Sequence, residues 1–271
     1  IVYDSGSIHR GGVLASNGDI HFVPSSVPVG QKINASGVVS TYSLVYTRSG
    51  AYGGGVLAPN GDIHFIPDQA NRGQKISASG VVSTYSLAYT TTNAYYGGVL
   101  APNGDIQFIP ASATVGQKIS ASSVVSTYSL VYSIGGLAYF GGVLAPNGDI
   151  HFIPRSAPVG QKISASGVVS TYSLAYTTTN AYIGGVLAPN GDIHFIPWFA
   201  VRGQKINTLT GSVSTYSLVY TTSLAYSGGV LAPNGDIHFV PWSAPVGQKI
   251  STNSGQPLGP GICLSSFLNK F

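Results

Sequence analysis

One segment of fourteen residues recurs six times along the chain, with small changes between copies. It reads Gly-Gly-Val-Leu-Ala-Pro-Asn-Gly-Asp-Ile-His-Phe-Ile-Pro, and successive copies start 43 or 44 residues apart. The copies start at Gly11, Gly54, Gly97, Gly141, Gly184 and Gly228. A period in the forties is typical of a propeller blade or of a helical solenoid unit, so the local pattern has to separate the two.

The pattern inside the repeat predicts strands. Asn-Gly stands between two apolar runs in each copy and predicts a hairpin with a type I′ turn, which needs positive φ at both central residues. The run Val81–Tyr89 alternates between two faces and is rich in β-branched and aromatic residues. Gly and Pro occur too often for a helical stripe. Each repeat therefore predicts four short antiparallel strands, of the types Gly-Gly-Val-Leu-Ala, Asp-Ile-His-Phe-Ile-Pro, Gln-Lys-Ile-Ser-Ala and Val-Val-Ser-Thr-Tyr-Ser-Leu.

Six such sheets predict an all-β fold, a six-bladed β-propeller with four antiparallel strands per blade, formed as a single domain by residues 1–271. Stacking buries both apolar faces of each sheet, and Gly-Gly fits a place where backbones approach closely. Two closures of the sixth blade are open: Gly261–Phe267 forms its outer strand, or Ile1–Tyr3 completes that edge.

The Val-Leu-Ala-Pro-Asn-Gly-x-Ile core resembles the repeats of kelch-like β-propeller proteins, and the resemblance covers nearly the whole chain. It implies the propeller fold, but those proteins mostly have no assigned function. The chain is also generally similar to propeller lectins, secreted proteins that bind sugars between their blades. Neither a Ser-x-Asp-x-Gly-x-x-Trp motif nor a Trp-Asp repeat ending occurs, so no function is inherited with the fold.

Composition excludes several classes of partner. Only 7% of residues are charged, and the net charge of +4 is spread along the chain rather than clustered, which argues against nucleic acid. No stretch of about 18 apolar residues predicts a membrane span. The single cysteine, Cys263, cannot form an internal disulfide. Low charge with abundant Ser, Thr, Gly and Tyr predicts a secreted, extracellular protein, and whether it forms a homo-oligomer is left open.

Several polar residues recur once per repeat. An Asp after Asn-Gly and a Lys after Gly-Gln, thirteen residues apart, predict a repeated ion pair or turn cap rather than a cation site. The second-strand His is replaced by Gln107 in the third repeat, which favours a hydrogen bond between blades, with ligand contact as the alternative; one His per blade disfavours zinc. Tyr in the fourth strand suits either sheet packing or a sugar-binding groove.

The loop after Ile-Pro changes most between repeats, and loops on a rigid scaffold carry function. Trp198 and Trp242, the only tryptophans, occupy equivalent positions in that loop of consecutive repeats. The candidate ligand-binding residues are Trp198, Trp242, His64, His151, His194, His238, Tyr85, Tyr172 and Tyr216.

These patterns predict a multivalent, lectin-like protein that binds glycans or glycoproteins at shallow sites between or atop the blades, without a cofactor or metal. The alternative is a structural or protein-interaction scaffold of an extracellular surface or matrix. Enzymatic activity is not expected, because almost every acid is repeated sixfold. The unrepeated Asp4 and Asp68 lie in segments where the sequence shows no aromatic or basic support.

Overall fold

The computed structural model describes residues 9–252, which contain strands and no helix. The first three sheets comprise β1 (His9–Leu14), β2 (Ile20–Pro24), β3 (Val29–Ile33), β4 (Val39–Ser43), β5 (Tyr52–Leu57), β6 (Ile63–Pro67), β7 (Arg72–Ile76), β8 (Val82–Ser86), β9 (Tyr95–Leu100), β10 (Ile106–Pro110), β11 (Val115–Ile119) and β12 (Val125–Ser129). The two closures expected for the sixth blade, as well as Asp4 and Cys263, lie outside the described residues.

Three more sheets follow along the chain. Their strands are β13 (Tyr139–Leu144), β14 (Ile150–Pro154), β15 (Val159–Ile163), β16 (Val169–Ser173), β17 (Tyr182–Leu187), β18 (Asp192–Pro197), β19 (Arg202–Asn207), β20 (Val213–Ser217), β21 (Tyr226–Leu231), β22 (Ile237–Pro241) and β23 (Gln248–Ile250). The described chain forms two compact units, residues 9–129 and residues 130–252, each with three sheets. The expectation that residues 1–271 form a single domain stays a prediction.

Each sheet is an antiparallel meander in sequence order, with four strands in the first five sheets and three described strands in the sixth. Within each unit, the first strand of one sheet packs against the first strand of the next: β1 on β5 and β5 on β9, then β13 on β17 and β17 on β21. The predicted all-β fold, a six-bladed β-propeller, is confirmed as the fold class.

The Asn-Gly turn differs from the predicted type I′. In the second repeat Gly61 has a φ of +85°, whereas Asn60 is not among the residues with positive φ. The Gly61 N–H donates to the Ala58 carbonyl (3.0 Å), which makes Pro59 the second residue of a type I turn followed by a glycine in the left-handed region. The first repeat has Ser16 in place of this proline and forms the same turn, with Gly18 at a φ of +86° and its N–H donating to the Ala15 carbonyl at 3.0 Å.

The fourth strands are shorter than predicted, because the chain leaves the sheet to reach the next blade. Strand β8 ends at Ser86, and the N–H groups of Ala88 and Tyr89 both donate to Gln117 Oε1 in the next sheet, at 2.8 Å each. Gln74, Gln161, Gln204 and Gln248 accept equivalent bonds from the preceding segment. The hydrogen bond between blades, expected of the repeated His, is therefore made by the Gln of Gly-Gln-Lys.

The apolar core lies between neighbouring sheets of a unit. Tyr95 and Phe108 are fully buried between the second and third sheets, with Val56 and Ile66 of the second sheet. The Gly-Gly pair permits this packing, because a Cβ on Gly98 would lie 2.7 Å from Ile66 Cδ1. The predicted close approach of backbones at Gly-Gly is confirmed in this unit, where a Cβ on Gly54 would lie 2.9 Å from the Gly97 Cα.

Candidate functional site

Two positions of the repeat differ strongly between blades and lie at the same end of each sheet. One follows the first residue of the first strand; the other follows the Pro that ends the second strand. Because Tyr52 pairs with Pro67, and equivalently in other sheets, both positions fall at one end, which we call the Pro end. The first position is Arg10, Gly53, Tyr96, Phe140, Ile183 or Ser227, and the second is Ser25, Asp68, Ala111, Arg155, Trp198 or Trp242.

In the second unit the Pro end carries an aromatic cluster formed by Trp198, Phe199 and Trp242. The ring centroids of Trp198 and Trp242 are 6.1 Å apart with the planes tilted by 55°, and Trp198 meets Phe199 at 6.3 Å. Trp242 is 67% exposed and Phe199 37% exposed, whereas Trp198 is half-buried. The structure therefore brings the two predicted tryptophans together on the surface, with Phe199 beside them.

A cation lies next to an aromatic ring at the same end of the second unit. The Arg155 guanidinium stands 4.6 Å from the centroid of the buried Phe140 ring, and its Nε donates to Asn180 Oδ1 at 2.9 Å. Asn180 adopts a φ of +56°, and its N–H donates to Ser156 Oγ. These contacts fix the orientation of Arg155 by a cation–π interaction and a hydrogen bond.

In the first unit the Pro end carries a polar cluster to which each sheet contributes one residue: Arg10, Asp68 and Tyr96. Arg10 Nη1 lies 3.8 Å from Asp68 Oδ2, and the guanidinium stands 5.1 Å from the Tyr96 ring centroid. Burial raises the pKa of Asp68 to about 6, although the Arg10 charge acts in the opposite direction. A carboxyl group that titrates near neutral pH is suited to general acid–base chemistry.

Asp68 was expected to lack basic and aromatic support, and the structure corrects this. Arg10 and Tyr96 belong to the sheets on either side of Asp68 and lie 58 and 28 residues away in sequence. The signal that could have found the cluster is that all three break the repeat at the two variable positions.

Replacing Asp68 by Asn is expected to stabilise the protein at pH 7.5 by about 1–3 kcal/mol. A raised pKa in the folded state means that the folded chain binds more protons between pH 4 and 6, so this carboxylate costs stability as the pH rises through about 6. Urea unfolding at pH 7.5 and at pH 5 measures the effect, which should shrink at pH 5.

The matched control for this prediction is Asp62→Asn. The bond from Lys75 holds the pKa of Asp62 below its usual range against the effect of burial, so this replacement should destabilise. Destabilisation by Asp68→Asn at pH 7.5 would contradict the assignment.

The predicted His and Tyr residues form pairs inside the second, fourth and fifth sheets. His64, His151 and His194 are 2–4% exposed, and their Nδ1 atoms lie 3.3–3.4 Å from the hydroxyls of Tyr85, Tyr172 and Tyr216, respectively. Burial lowers the pKa of each of these histidines to about 4. Their rings are covered by the fourth strand, so contact with a surface ligand would require that strand to move. His238, in the sixth sheet, is exposed.

The fourth-strand tyrosine lies flat over the glycine of Gly-Gln-Lys. A Cβ built on Gly73 would stand 2.1 Å from the Tyr85 ring, and on Gly203 it would stand 2.0 Å from the Tyr216 ring. An aromatic ring over a strand glycine covers backbone that has no side chain of its own. This packing accounts for both residues without a ligand.

The repeated acids and bases form the predicted ion pairs. The Lys Nζ to Asp Oδ2 distances are 2.6–3.1 Å in all six sheets. In the second sheet the Asn60 side chain also accepts from the Asp62 N–H, and Asp62 Oδ1 accepts from the Ala78 N–H. Each Asp therefore links two turns at the end of the sheet opposite the Pro end.

Among residues 9–252, no three His, Cys, Asp or Glu side chains come together in a group that could hold a metal ion. Within that range there is also no helix long and apolar enough to cross a bilayer.

Solved structures with the same fold include enzymes and a protein complex. A catalytically inactive virginiamycin B lyase from Staphylococcus aureus with quinupristin matches with a TM-score of 0.76 and 18% identity over 93% of this chain and 84% of that one. A streptogramin B lyase matches at 0.74 and 20% identity, over 92% and 84%. A nidogen/laminin complex matches at 0.52 and 10% identity, over 78% and 81%. No protein-family model and no curated sequence matches the chain.

These neighbours correct the expectation that the chain is not an enzyme. That expectation assumed that uniform blades leave no singular chemistry, yet the lyases place an enzymatic activity on this fold. Among residues 9–252, the polar cluster of Arg10, Asp68 and Tyr96 likewise has no second copy, since Asp follows the second-strand Pro in the second sheet alone. At identities of 20% or less the likeness shows the fold alone.

Proposed function

We propose that the chain binds carbohydrate through the aromatic cluster of Trp198, Phe199 and Trp242. The observation that carries this proposal is the 67% exposure of Trp242 beside a second tryptophan at the most variable end of the blades. An apolar ring of this size is costly to leave in water, and a cluster of them on a rigid sheet end is typical of a binding surface.

The chemistry of the cluster suits a neutral sugar. The C–H face of a pyranose packs on an aromatic ring, and the two tilted indoles offer a shallow trough for one sugar ring and its neighbour. The chain has only 7% charged residues, and the three members of the cluster are uncharged. Shape and stacking would therefore select the ligand more than charge.

Replacing Trp242 by Ala is expected to weaken glycan binding at least about tenfold, because a central exposed aromatic residue carries a large share of the binding free energy. Trp198→Phe, which keeps a half-buried ring in place, should weaken binding less. A glycan array would identify the ligand, and calorimetric titration of wild type and variants would give the affinities.

The matched control is Leu209→Ala, which removes an exposed apolar side chain (76% exposed) in the same unit. Leu209 lies in the turn between β19 and β20, at the end of the blade opposite the Pro end. Unchanged titration curves for Trp242→Ala would reject the site, and absence of binding to every glycan would reject the carbohydrate proposal.

A protein-interaction scaffold is the second candidate, favoured by the same exposed aromatic residues, which are equally typical of protein hot spots. Val201, 48% exposed, adds apolar surface just after the cluster in sequence. The nidogen/laminin complex is a protein assembly that contains this fold. A protein partner lost on Trp242→Ala, with no glycan bound, would favour this candidate.

The number of sites per chain follows from the variation between blades. The second variable position holds five residue types in six blades, so we expect about one site per chain rather than the six near-equal sites that the repeat predicts.

An extracellular location is supported by the low charge and would be checked by fractionating native material. Kinship with kelch-like propellers and with propeller lectins stays a prediction.

A further inference from the structure

Residues 34–36, which we call the Asn34 triplet, read Asn-Ala-Ser and match the pattern for N-linked glycosylation. That pattern is Asn, any residue but Pro, and then Ser or Thr. No other triplet of the 271 residues has this form. An attached glycan is bulky and hydrophilic, so a modified triplet has to lie on the surface with open space around it.

The Asn34 triplet lies in the turn between β3 and β4 of the first sheet. Asn34 follows Ile33, which pairs with Ile20, so the turn lies at the end of the sheet opposite the Pro end. Residues 35–38 are exposed, and a Cβ built on Gly37 would meet nothing within 4 Å. A glycan on this turn would therefore extend into solvent without displacing a strand.

Two hydrogen bonds fix the backbone of the turn. The Asn34 N–H donates to the Val38 carbonyl at 2.9 Å, and the Gly37 N–H donates to the Asn34 carbonyl at 2.8 Å. Gly37 has a φ of +80°, in the left-handed region that favours glycine. The triplet is therefore held on a defined turn at the surface and not inside a strand.

The side-chain amide of Asn34 uses its oxygen in the turn and leaves its nitrogen outside it. Oδ1 accepts from the Ser36 N–H at 3.0 Å and from the Val38 N–H at 2.8 Å. Among residues 9–252, no group accepts a hydrogen bond from Asn34 Nδ2. Because the amide is planar, with oxygen and nitrogen on opposite sides of Cγ, the bonds to Oδ1 direct Nδ2 away from the turn backbone. Nδ2 is the atom that carries the sugar in an N-linked glycan.

The equivalent turns show that the fold does not need this nitrogen. In the second, third and fourth sheets a serine takes the place of Asn34, and its Oγ accepts from the N–H four residues later at 3.0 Å. These serines are Ser77, Ser120 and Ser164. In the fifth sheet Asn207 takes the place, but its Nδ2 donates to Asp192 Oδ1 at 2.8 Å, and Leu209 stands where the pattern requires Ser or Thr. The two asparagines therefore differ in what their amide nitrogens do.

We propose that Asn34 carries an N-linked glycan. In the transfer, Nδ2 forms a bond to the anomeric carbon of an oligosaccharide carried on a lipid diphosphate, the bond from that carbon to the diphosphate oxygen breaks, and one amide proton is released. The bonds that Oδ1 accepts are kept, since the reaction uses Nδ2. The glycan adds hydrophilic bulk beside Val38, which is 58% exposed. This inference rests on the proposed extracellular location, because proteins meet such a donor on the secretory route.

The test on the native protein is mass spectrometry of a tryptic digest before and after treatment with peptide-N-glycosidase. Cleavage after Lys32 and Arg48 isolates residues 33–48, which contain the whole triplet. We expect this peptide to carry an oligosaccharide and Asn34 to become Asp when the glycosidase removes it. An unmodified peptide overturns the proposal. If the unmodified protein is found outside the cell, glycosylation alone fails; if it is found inside, the proposed location fails as well.

Variants of the full chain, secreted from cultured eukaryotic cells behind a leader, test the triplet itself. Wild type and Ser36→Thr should carry the glycan, whereas the matched variant Ser36→Ala should lose it, although the backbone N–H of residue 36 is present in all three. Asn34→Ser should also lose the glycan and still fold, as circular dichroism would show, because serine fills this place in three other sheets. A glycan on residues 33–48 of Ser36→Ala, or its loss from Ser36→Thr, overturns the assignment to this triplet.

Discussion

Replacing His64, His151 and His194 together by Gln is expected to lower the pH midpoint of acid unfolding by about one unit or more. The three histidines are buried, and burial holds the pKa of each near 4 in the folded state, whereas an unfolded histidine titrates near 6.5. Between these values the unfolded chain binds more protons, so stability is full above pH 6.5 and is lost as the pH falls towards 4.

The size of the effect follows from the same shift. Each histidine contributes up to about 3 kcal/mol across this window, which makes the sum comparable with the whole stability of a typical domain. Asp68 has the opposite effect on stability: because its pKa is raised, it makes the folded state more stable as the pH falls from 6 to 4. This is one group, whereas three histidines lower the stability over the same range. Circular dichroism during titration from pH 7.5 to pH 3 measures the midpoint.

The chain supplies the controls for this experiment. Gln107 already occupies the histidine position in the third sheet and is only 5% exposed, so the sheet accommodates Gln there. Gln107→His should raise the midpoint, because it would add a further histidine at a buried position. An identical midpoint in wild type and the triple variant would show that other groups control acid unfolding.

Replacing Gln117 by Leu is expected to destabilise the protein by about 2–3 kcal/mol and to loosen the connection between the second and third sheets. Gln117 is fully buried, and its Oε1 accepts from the Ala88 and Tyr89 N–H groups. Leu has a similar volume but no acceptor, so two donors lose their partner. Urea unfolding gives the free energy, and hydrogen exchange reports the two amides.

Gln74→Leu is the matched control, because Gln74 makes the same bonds to the Val45 and Tyr46 N–H groups. Each variant should raise exchange in its own preceding segment and leave the other segment protected. If both variants raised exchange equally in both segments, the bonds would not act locally and the interpretation would fail.

Much of the local structure could be predicted from the sequence because it depends on short-range pattern. The alternation of side chains predicts the strands. The Asp and Lys of each repeat predict the ion pairs, whose Lys Nζ to Asp Oδ2 distances are 2.6–3.1 Å. The predicted type I′ turn is wrong, because the N–H of the turn glycine bonds to a carbonyl three residues earlier (Gly18 to Ala15, Gly61 to Ala58), so the loop is longer than the two residues of a type I′ hairpin. The role of Gln117 was missed, because its partners lie 28 and 29 residues earlier.

The sequence by itself determined the number of blades, the strands within them and the set of residues that break the repeat, because periodicity and burial pattern are properties of the chain order. Only the tertiary structure decided which of those residues meet. Arg10, Asp68 and Tyr96 come from three sheets, and the predicted Trp198 and Trp242 come from two, so their distances depend on how the first strands of neighbouring sheets pack. The fold of the second sheet likewise decides that its fourth strand covers His64, whose Nδ1 lies 3.4 Å from the Tyr85 hydroxyl.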